Sequence, residues 1–332
     1  MENIRVWEQV DYEQFHGEIV ALNQPAHIKS VVGHWPAVQL GTQSPESITD
    51  YLKSYDSEKI ISALVGDPSI EGRFFYQPGL EALNFQKAQV TLGIGLDRLL
   101  KIQQDENPHA IALQAIPVDQ VMPGFEQQHQ QPLLDESIGP TMWLGNRATV
   151  APHYDIHDNL ACVVAGRRQF TLFPPGQINN LYPGPMMTTP GGVPVSMVDV
   201  NNPDLDRYPR YAEAAKWGQQ AILEPGDGIY IPALWWHGVE SLEAFNILIN
   251  YWWGGMSQSH LSPNDSLMHS MLSIAELSLE KREAWRQFFD YYVFKTEADP
   301  AAHLPQELED LVTQLSPELR AQLQGFLIKQ LK

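Results

Sequence analysis

Two histidines and one aspartate have the types and spacing of a mononuclear metal site. His153 and Asp155 lie two residues apart in the segment HYDIHDN, so on a β-strand their side chains would project to the same side. A third ligand must come from elsewhere, and the best candidate is His237, which follows the segment EPGDGIYIPALWW. His157 lies four residues after His153, so on a strand it would face the same side. We nevertheless expect it near the strand end, at the rim of the site.

The chemistry of such a triad predicts a second requirement nearby. Two imidazoles and one carboxylate on one face of Fe(II) leave open positions that a bidentate 2-oxo acid and O₂ can take. The far end of a diacid such as 2-oxoglutarate then needs a cation. In the predicted strand RRQFTLF, Arg168 shares the side of Phe170 and Leu172, whereas Arg167 faces out. An inward arginine is costly unless it meets a carboxylate, which its planar fork binds well.

Two asparagines could face the same space. Asn159 lies an even number of residues after His153, so on a strand it would face the same side. Asn250, in the segment ILINYWW, could lie on a neighbouring strand and face the same space. Four aromatic residues are candidate walls that exclude water from the site: Trp235, Trp236, Tyr251 and Trp252.

Composition limits the classes of function. The 332 residues carry a net charge of −19, which disfavours a general grip on nucleic-acid phosphates. The single cysteine, Cys162, lies in an apolar run and excludes an intramolecular disulfide, so it reads as a small buried hydrophobe. The N-terminal residues lack the pattern of a signal peptide, and no apolar stretch reaches the length of a membrane span. We therefore expect a soluble protein of a reducing compartment, the cytoplasm.

The pattern of apolar residues divides the chain into three parts. Residues 1–110 are predicted to be mixed α/β and to pack on the core, with a helix that begins at Ser44-Pro45. Residues 111–258 contain short β runs separated by turn residues, which predicts a sandwich or barrel. Two long loops, 174–197 and 199–218, interrupt these runs, and loops of that length are usually functional.

Residues 259–332 have helical periodicity. The apolar positions recur three and four residues apart, which places one stripe on each helix: Leu267, Met268, Met271, Leu272 and Ala275; Trp285, Phe288, Phe289 and Tyr292; Leu308, Leu311, Val312 and Leu315; and Leu319, Leu323, Phe326 and Leu327. Such stripes must be buried either on the β domain or on a second copy of the chain. We favour a homodimer through these helices.

Several segments, in this order along residues 20–255, resemble the JmjC/cupin-8 family of Fe(II)- and 2-oxoglutarate-dependent oxygenases. They are AHIKSVVGHWPAV, HYDIHDNLACVVAGRRQFTLFPPGQINNLYPGP, DVNNPDLDRYP, EPGDGIYIPALWWHGVES and NYWW. Within that family they are similar to the asparaginyl hydroxylases that act on hypoxia-inducible factor. The resemblance implies a mainly β fold, a double-stranded β-helix (jelly-roll, cupin-like) core with N-terminal α/β elements and a C-terminal helical tail that forms a dimer.

The resemblance also assigns roles to residues. It implies that His153, Asp155 and His237 bind Fe(II), and that Asn159 and Asn250 lie near 2-oxoglutarate. Arg168 stands where the family has a lysine that pairs with the distal carboxylate of this cosubstrate.

The chain departs from the family pattern at two other positions. Ala112 replaces a tyrosine, and Val150 replaces a threonine, next to which Thr149 is a candidate substitute contact to the cosubstrate. Some contacts to the diacid must therefore be remodelled.

These observations predict an oxygenase that uses Fe(II), 2-oxoglutarate and O₂ and decarboxylates 2-oxoglutarate to succinate. The resemblance alone implies that it hydroxylates a side chain on a protein. Two alternatives stay open at this point. One is a tRNA-base hydroxylase of the same family, which the acidic charge disfavours. The other is a non-oxidative metal-binding cupin, such as an isomerase or a small-molecule-binding protein, which would not need Arg168 to face the metal.

Overall fold

Two β-sheets form most of the chain, which a computed structural model describes over residues 1–256, 261–296, 299–305 and 316–330. The strands are β1 (Glu2–Asn3), β2 (Val6–Trp7), β3 (Ala26–Ile28), β4 (Ile61–Gly66), β5 (Arg73–Phe74), β6 (Phe85–Val90), β7 (Ala110–Pro117), β8 (Pro140–Gly145), β9 (Ala148–His153), β10 (Asp158–Ala165), β11 (Arg168–Phe173), β12 (Gln219–Leu223), β13 (Gly228–Ile231), β14 (Trp236–Ser241) and β15 (Asn246–Trp253).

The α-helices of the described residues are mostly short. They are α1 (Tyr12–Gln14), α2 (Pro36–Gln43), α3 (Pro45–Lys53), α4 (Leu92–Ile102), α5 (Val118–Val121), α6 (Tyr211–Trp217), α7 (Pro263–Ser273), α8 (Leu279–Phe289) and α9 (Pro317–Gln330). Segments of 3₁₀-helix cover Pro68–Ile70, Phe125–Gln128 and Pro175–Asn180, and π-helical segments cover Phe15–Val20 and Asp290–Phe294. Helix α3 begins as predicted, because the Ser44 hydroxyl accepts a hydrogen bond from the Ser47 backbone N–H at 3.1 Å.

The two sheets face each other across an apolar interior. The six-stranded sheet has the order β1-β12-β11-β14-β9-β5, and the nine-stranded sheet has the order β2-β3-β13-β10-β15-β8-β7-β4-β6. Side chains of both sheets share one buried cluster, which includes Phe170, Leu172 and Leu223 of the first and Ala161, Val163, Ile229 and Leu248 of the second. The prediction of a mainly β, jelly-roll core is confirmed.

Strand β10 shows how the sequence encodes this layering. Ala161 and Val163 point into the space between the sheets, whereas Leu160, Cys162 and Val164 join a second core under the N-terminal helices. Both faces of the strand are buried, so its sequence is a continuous apolar run rather than an alternating one. Cys162 is a free, buried thiol of this second core.

Strands from residues 1–110 belong to both sheets. Strands β1 and β5 lie at the two edges of the six-stranded sheet, and β2, β3, β4 and β6 extend the nine-stranded sheet. The N-terminal part, predicted to pack on the core, thus also contributes strands to its two sheets.

The long segment from 174 to 218 is anchored on the six-stranded sheet. Its apolar side chains form a small buried cluster over two strand residues, Phe173 and Trp236; the cluster includes Leu181, Val198, Tyr211 and Ala214. The Ser196 backbone N–H donates to the carbonyl of Pro152 at 2.7 Å, directly beside His153. This contact ties the loop to the end of β9.

The chain divides into two compact units, residues 1–257 and 258–332. In the second unit, α7, α8 and α9 carry apolar side chains that are exposed: Leu267, Met268, Met271, Leu272, Trp285, Phe288, Leu323, Phe326 and Leu327. The stripe predicted from Leu308 to Leu315 lies outside the described residues. Dimerisation through these helices stays a prediction. Over the part of the chain that the structure describes, no helix is long and apolar enough to cross a membrane.

The turn before β13 is held by one carboxylate. Asp227 accepts hydrogen bonds from the His27 ring at 2.9 Å, the Lys29 ammonium at 2.6 Å and the Ser30 backbone N–H at 3.0 Å. Burial would raise the pKa of Asp227, but these donors outweigh it and lower the pKa to about 2. The carboxylate thereby joins β3 to the strand that leads to His237.

We predict that Asp227→Asn lowers the free energy of unfolding by about 2 kcal/mol at pH 7. The hydrogen-bond donors around Asp227 stabilise its charged carboxylate in the folded state, and the unfolded chain lacks them. A depressed folded-state pKa contributes stability above the ordinary pKa of aspartate and loses it as the pH falls towards 2. The difference between wild type and variant should therefore shrink below about pH 4 in urea unfolding. The control is Asp97→Asn, which removes an exposed ion pair with Lys53 and should change little. A constant difference from pH 7 to pH 3 would contradict this account.

Candidate metal centre

Three ligand-type side chains converge at one end of the six-stranded sheet. His153, Asp155 and His237 each offer one ligand atom, and these atoms lie within 4.8 Å of one another. His237 Nε2 lies 3.6 Å from Asp155 Oδ2, and the two imidazole centroids are 4.3 Å apart. Two imidazoles and one carboxylate at this spacing fit a single divalent transition-metal ion, and Fe(II) is the ion typical of this donor set.

Antiparallel pairing brings the two histidines together. His153 is the last residue of β9 and pairs directly with His237, the second residue of β14. Paired residues in an antiparallel ladder project to the same side of the sheet, so both rings face the interior. The preceding strand, β13, ends at Ile231, and a turn separates it from β14, so His237 lies on a different strand from the segment IYIP.

Asp155 reaches the histidines from a loop. The prediction of one strand through HYDIHDN is wrong, because β9 ends at His153 and β10 begins at Asp158. Two long-range contacts divert the chain here. The Asp158 carboxylate accepts a hydrogen bond from the Tyr230 hydroxyl at 2.7 Å, and the Asp155 carbonyl accepts one from the Leu234 N–H at 2.7 Å. The Trp252 indole N–H donates to Asp155 Oδ2 at 3.3 Å and orients the carboxylate.

Backbone carbonyls fix the tautomers of both histidines. Nδ1 of His153 lies 3.1 Å from the carbonyl of Ala151, and Nδ1 of His237 lies 3.0 Å from the carbonyl of Trp235. A carbonyl only accepts, so Nδ1 carries the proton and Nε2 keeps its lone pair for a metal. Burial, reinforced by the neighbouring His153, lowers the pKa of His237 to about 4. The ring is therefore neutral at pH 7, as a metal ligand must be.

Arg168 is a buried cation, and among the described residues no carboxylate forms an ion pair with it. It is the first residue of β11 and is 8% exposed, and its Nε has no hydrogen-bond partner among the described residues. Burial lowers the pKa of its guanidinium to about 10, which still leaves the group charged at pH 7. Arg167 faces solvent and forms an ion pair with Glu243 at 2.7 Å. The two neighbouring arginines thus have opposite environments.

The two asparagines lie together in the interior. Asn159 and Asn250 are buried, and Asn250 Nδ2 donates to Asn159 Oδ1 at 3.1 Å. The sequence did not indicate that the indole N–H of Trp143 donates to Asn250 Oδ1 at 2.7 Å. These partners are far apart in the chain, and only the pairing of β8 with β15 brings them together.

The structure does not bring Thr149 to this site. The register shifts between the pairs His237–His153 and Val239–Val150, so β9 contains an extra residue. Val150 therefore shares the face of His153, whereas Thr149 pairs with Glu240 on the opposite face, beside Arg73. The residue that does pair with Arg168 on β14 is Ser241, which sequence reasoning missed.

The remaining predictions concern the rim and walls. His157 is half-buried and is not part of the ligand cluster. Trp235 lies in the interior cluster and Trp252 contacts Asp155, so these two can wall the site. The other two predicted walls were wrong, since Trp236 packs under the 174–218 loop and Tyr251 packs in the core beneath the N-terminal helices.

The chain is similar in sequence to several known proteins. Lysine-specific demethylase 8 of Danio rerio is 26% identical over 249 residues, which cover 73% of this chain and 56% of that protein. The tRNA wybutosine-synthesizing protein 5 of Gallus gallus is 38% identical over 101 residues, or 30% of this chain and 29% of that protein. Lysine-specific demethylase JMJ31 of Arabidopsis thaliana is 37% identical over 120 residues, or 36% of this chain and 21% of that protein.

The chain thus matches between about a fifth and just over half of the length of these relatives. The model of the Cupin_8 family, described as a cupin-like domain, matches residues 12–259, which contain every strand of the two sheets except β1 and β2, and all three candidate ligands. This match covers most of the chain and agrees with the family resemblance of its motifs. The chain belongs to the cupin-like domain family.

Proposed function

We propose that the chain is an Fe(II)- and 2-oxoglutarate-dependent oxygenase that hydroxylates a side chain on a protein. The observation that carries this proposal is the buried guanidinium of Arg168, which lies on the same interior face as the ligand cluster and whose Nε has no hydrogen-bond partner among the described residues. A buried charge without a partner is costly, so a ligand carboxylate that neutralises it would bind with a large gain.

The spacing along β11 suits a short diacid. Arg168 and Leu172 are four residues apart, and Leu172 pairs with His237. This separation corresponds to about 13 Å along the strand. The arginine side chain covers part of this length, and a five-carbon 2-oxo diacid would fill the remainder. His153, Asp155 and His237 would hold the Fe(II).

The bound Fe(II), 2-oxoglutarate and O₂ would supply oxidative decarboxylation to succinate and CO₂, coupled to hydroxylation of a C–H bond. The protein's own residues bind, orient and exclude water. Carbonyls of Ala151 and Trp235 keep the histidine protons on Nδ1, Trp252 orients Asp155, and Trp235 keeps the interior apolar.

One feature favours a protein as the substrate. The net charge of −19 opposes binding of an RNA backbone. One relative is named a lysine-specific demethylase and another a tRNA wybutosine-synthesizing protein, so the experiment below also tests RNA as the substrate.

A non-oxidative cupin is the second candidate, and Arg168 argues against it. A site that only binds a metal has no use for a buried cation beside it, because a like charge weakens metal binding. A distal arginine is useful when an acidic cosubstrate bridges the two positive centres.

We expect the purified chain, supplied with Fe(II), 2-oxoglutarate and O₂, to form succinate slowly on its own and faster with its substrate. The matched control is Asp155→Ala, which should form none. Turnover is compared with a protein extract and with total tRNA as the added substrate. If tRNA stimulates succinate formation and the protein extract does not, the substrate is an RNA and the proposal of a protein substrate is wrong. No succinate, together with no 2-oxoglutarate binding by the Mn(II)-loaded chain, would refute the oxygenase.

We predict that Asp155→Ala weakens Mn(II) binding at least 100-fold, because one of three ligands is lost. His157→Ala, a matched change two residues away, should stay within about twofold of wild type, since the His157 side chain is not part of the ligand cluster. Electron paramagnetic resonance of free Mn(II) measures both affinities. Equal losses in the two variants would show that the ligand set is wrong.

We predict that Arg168→Ala weakens binding of 2-oxoglutarate about 30-fold or more, because it removes a buried partner of a carboxylate. Arg167→Ala, which removes an exposed ion pair with Glu243, should leave binding unchanged. Without the diacid, Arg168→Ala should not destabilise the chain, since it removes an unpaired buried charge. Calorimetric titration and thermal unfolding check these outcomes. A larger loss in the Arg167 variant would reverse the roles of the two residues.

A further inference from the structure

Three hydrogen-bonding side chains in the interior have only one consistent orientation. The Trp143 indole N–H can only donate, and it lies 2.7 Å from the side-chain oxygen of Asn250. Asn250 must then turn its NH₂ group towards Asn159, whose side-chain oxygen lies 3.1 Å away. Because the oxygen of Asn159 is the acceptor of that bond, its own NH₂ group is left to point elsewhere. One indole therefore sets the direction of two amides.

The NH₂ group of Asn159 donates to no other described side chain or carbonyl at hydrogen-bonding distance. Asn159 pairs with Trp252, the residue whose indole binds Asp155, so this amide lies beside the ligand cluster. Arg168 lies towards the other end of the six-stranded sheet, where it pairs with Ser241. The interior thus offers neutral donors near the metal ligands and a cation farther away.

We propose that Trp143 is a positioning residue for the 2-oxo acid. By fixing the amides of Asn250 and Asn159, it makes Asn159 a permanent donor to an oxygen of the ligand. This inference rests on the proposed function. A free amide would present its oxygen part of the time, and that oxygen would repel a carboxylate or keto group. The indole removes the unfavourable orientation before the ligand binds.

Trp143 also packs in the interior, so a test must separate packing from orientation. Its ring meets Trp252 edge to face, with the centroids 5.9 Å apart, and it contacts the cluster between the sheets. Trp143→Phe keeps an aromatic ring at this place and removes only the N–H donor and part of the ring. The matched control is Trp217→Phe, because the Trp217 indole N–H donates to Glu213 on exposed helix α6.

The experiment is a calorimetric titration of 2-oxoglutarate into the full chain loaded with Mn(II), without O₂. We expect Trp143→Phe to weaken this binding about ten- to a hundredfold, the effect of one hydrogen bond to a charged ligand. Its Mn(II) affinity should stay within twofold of wild type, and so should 2-oxoglutarate binding by Trp217→Phe. Unchanged 2-oxoglutarate binding in Trp143→Phe would overturn the proposal. No binding by the wild type would instead refute the proposed function, and this inference with it.

A double-mutant cycle tests whether Trp143 acts on 2-oxoglutarate binding through Asn250. If Trp143 acts through Asn250, then Asn250→Ala alone should weaken 2-oxoglutarate binding, and adding Trp143→Phe should change it by less than about twofold. A packing role for Trp143 predicts that the two losses multiply, and that result would overturn the proposal. If Trp143→Phe does not fold, Asn250→Ala still decides: 2-oxoglutarate affinity must fall while Mn(II) affinity stays. A 2-oxoglutarate affinity of Asn250→Ala equal to that of the wild type would overturn the proposal.

Discussion

The guanidinium of Arg168 is buried between the two sheets, and no carboxylate in the described part of the chain pairs with it. The proposed ligand site depends on this imbalance of charge. Taking a guanidinium out of water costs several kcal/mol even after the protein relaxes. The fold sustains this cost because Phe170 and Leu172, on the same strand as Arg168, are fully buried and hold the strand in the interior. A ligand that brings a carboxylate to Arg168 recovers the lost interaction. The interior is in this sense prepared for an anion.

The metal-binding end of the interior depends on directional contacts rather than on apolar burial. Backbone carbonyls hold the histidine protons on Nδ1, and Trp252 holds the Asp155 carboxylate. Farther out, Asp158 and Asp227 hold the two turns that bring β10 and β13 to this end. The hydroxyl of Tyr230 in β13 donates to Asp158, and donors in and after β3 bind Asp227. Asp155 has one indole donor, so it keeps acceptor capacity for a cation.

Much of this site could be predicted from the sequence, and the misses have physical causes. Alternation places Arg168 inside and Arg167 outside because β11 is regular, and the jelly-roll core follows from the short β runs. The alternation of inward and outward side chains does not predict Thr149 correctly, because β9 contains an extra residue before His153. Val150 therefore faces the interior and Thr149 faces away from it. The alternation fails at Asp155 because contacts with Tyr230 and Leu234 end the strand early. Trp143 and Ser241 carry no local signal, since their partners lie far away in the chain and meet them only through strand pairing.

The most direct test of the central claim is a crystal structure of the chain with Mn(II) and 2-oxoglutarate, grown without O₂. The account predicts one metal ion bound by Nε2 of His153, Nε2 of His237 and the Asp155 carboxylate. It also predicts that the far carboxylate of the diacid lies on the Arg168 guanidinium. A metal held by other residues, or a diacid bound while Arg168 keeps no partner, would contradict it.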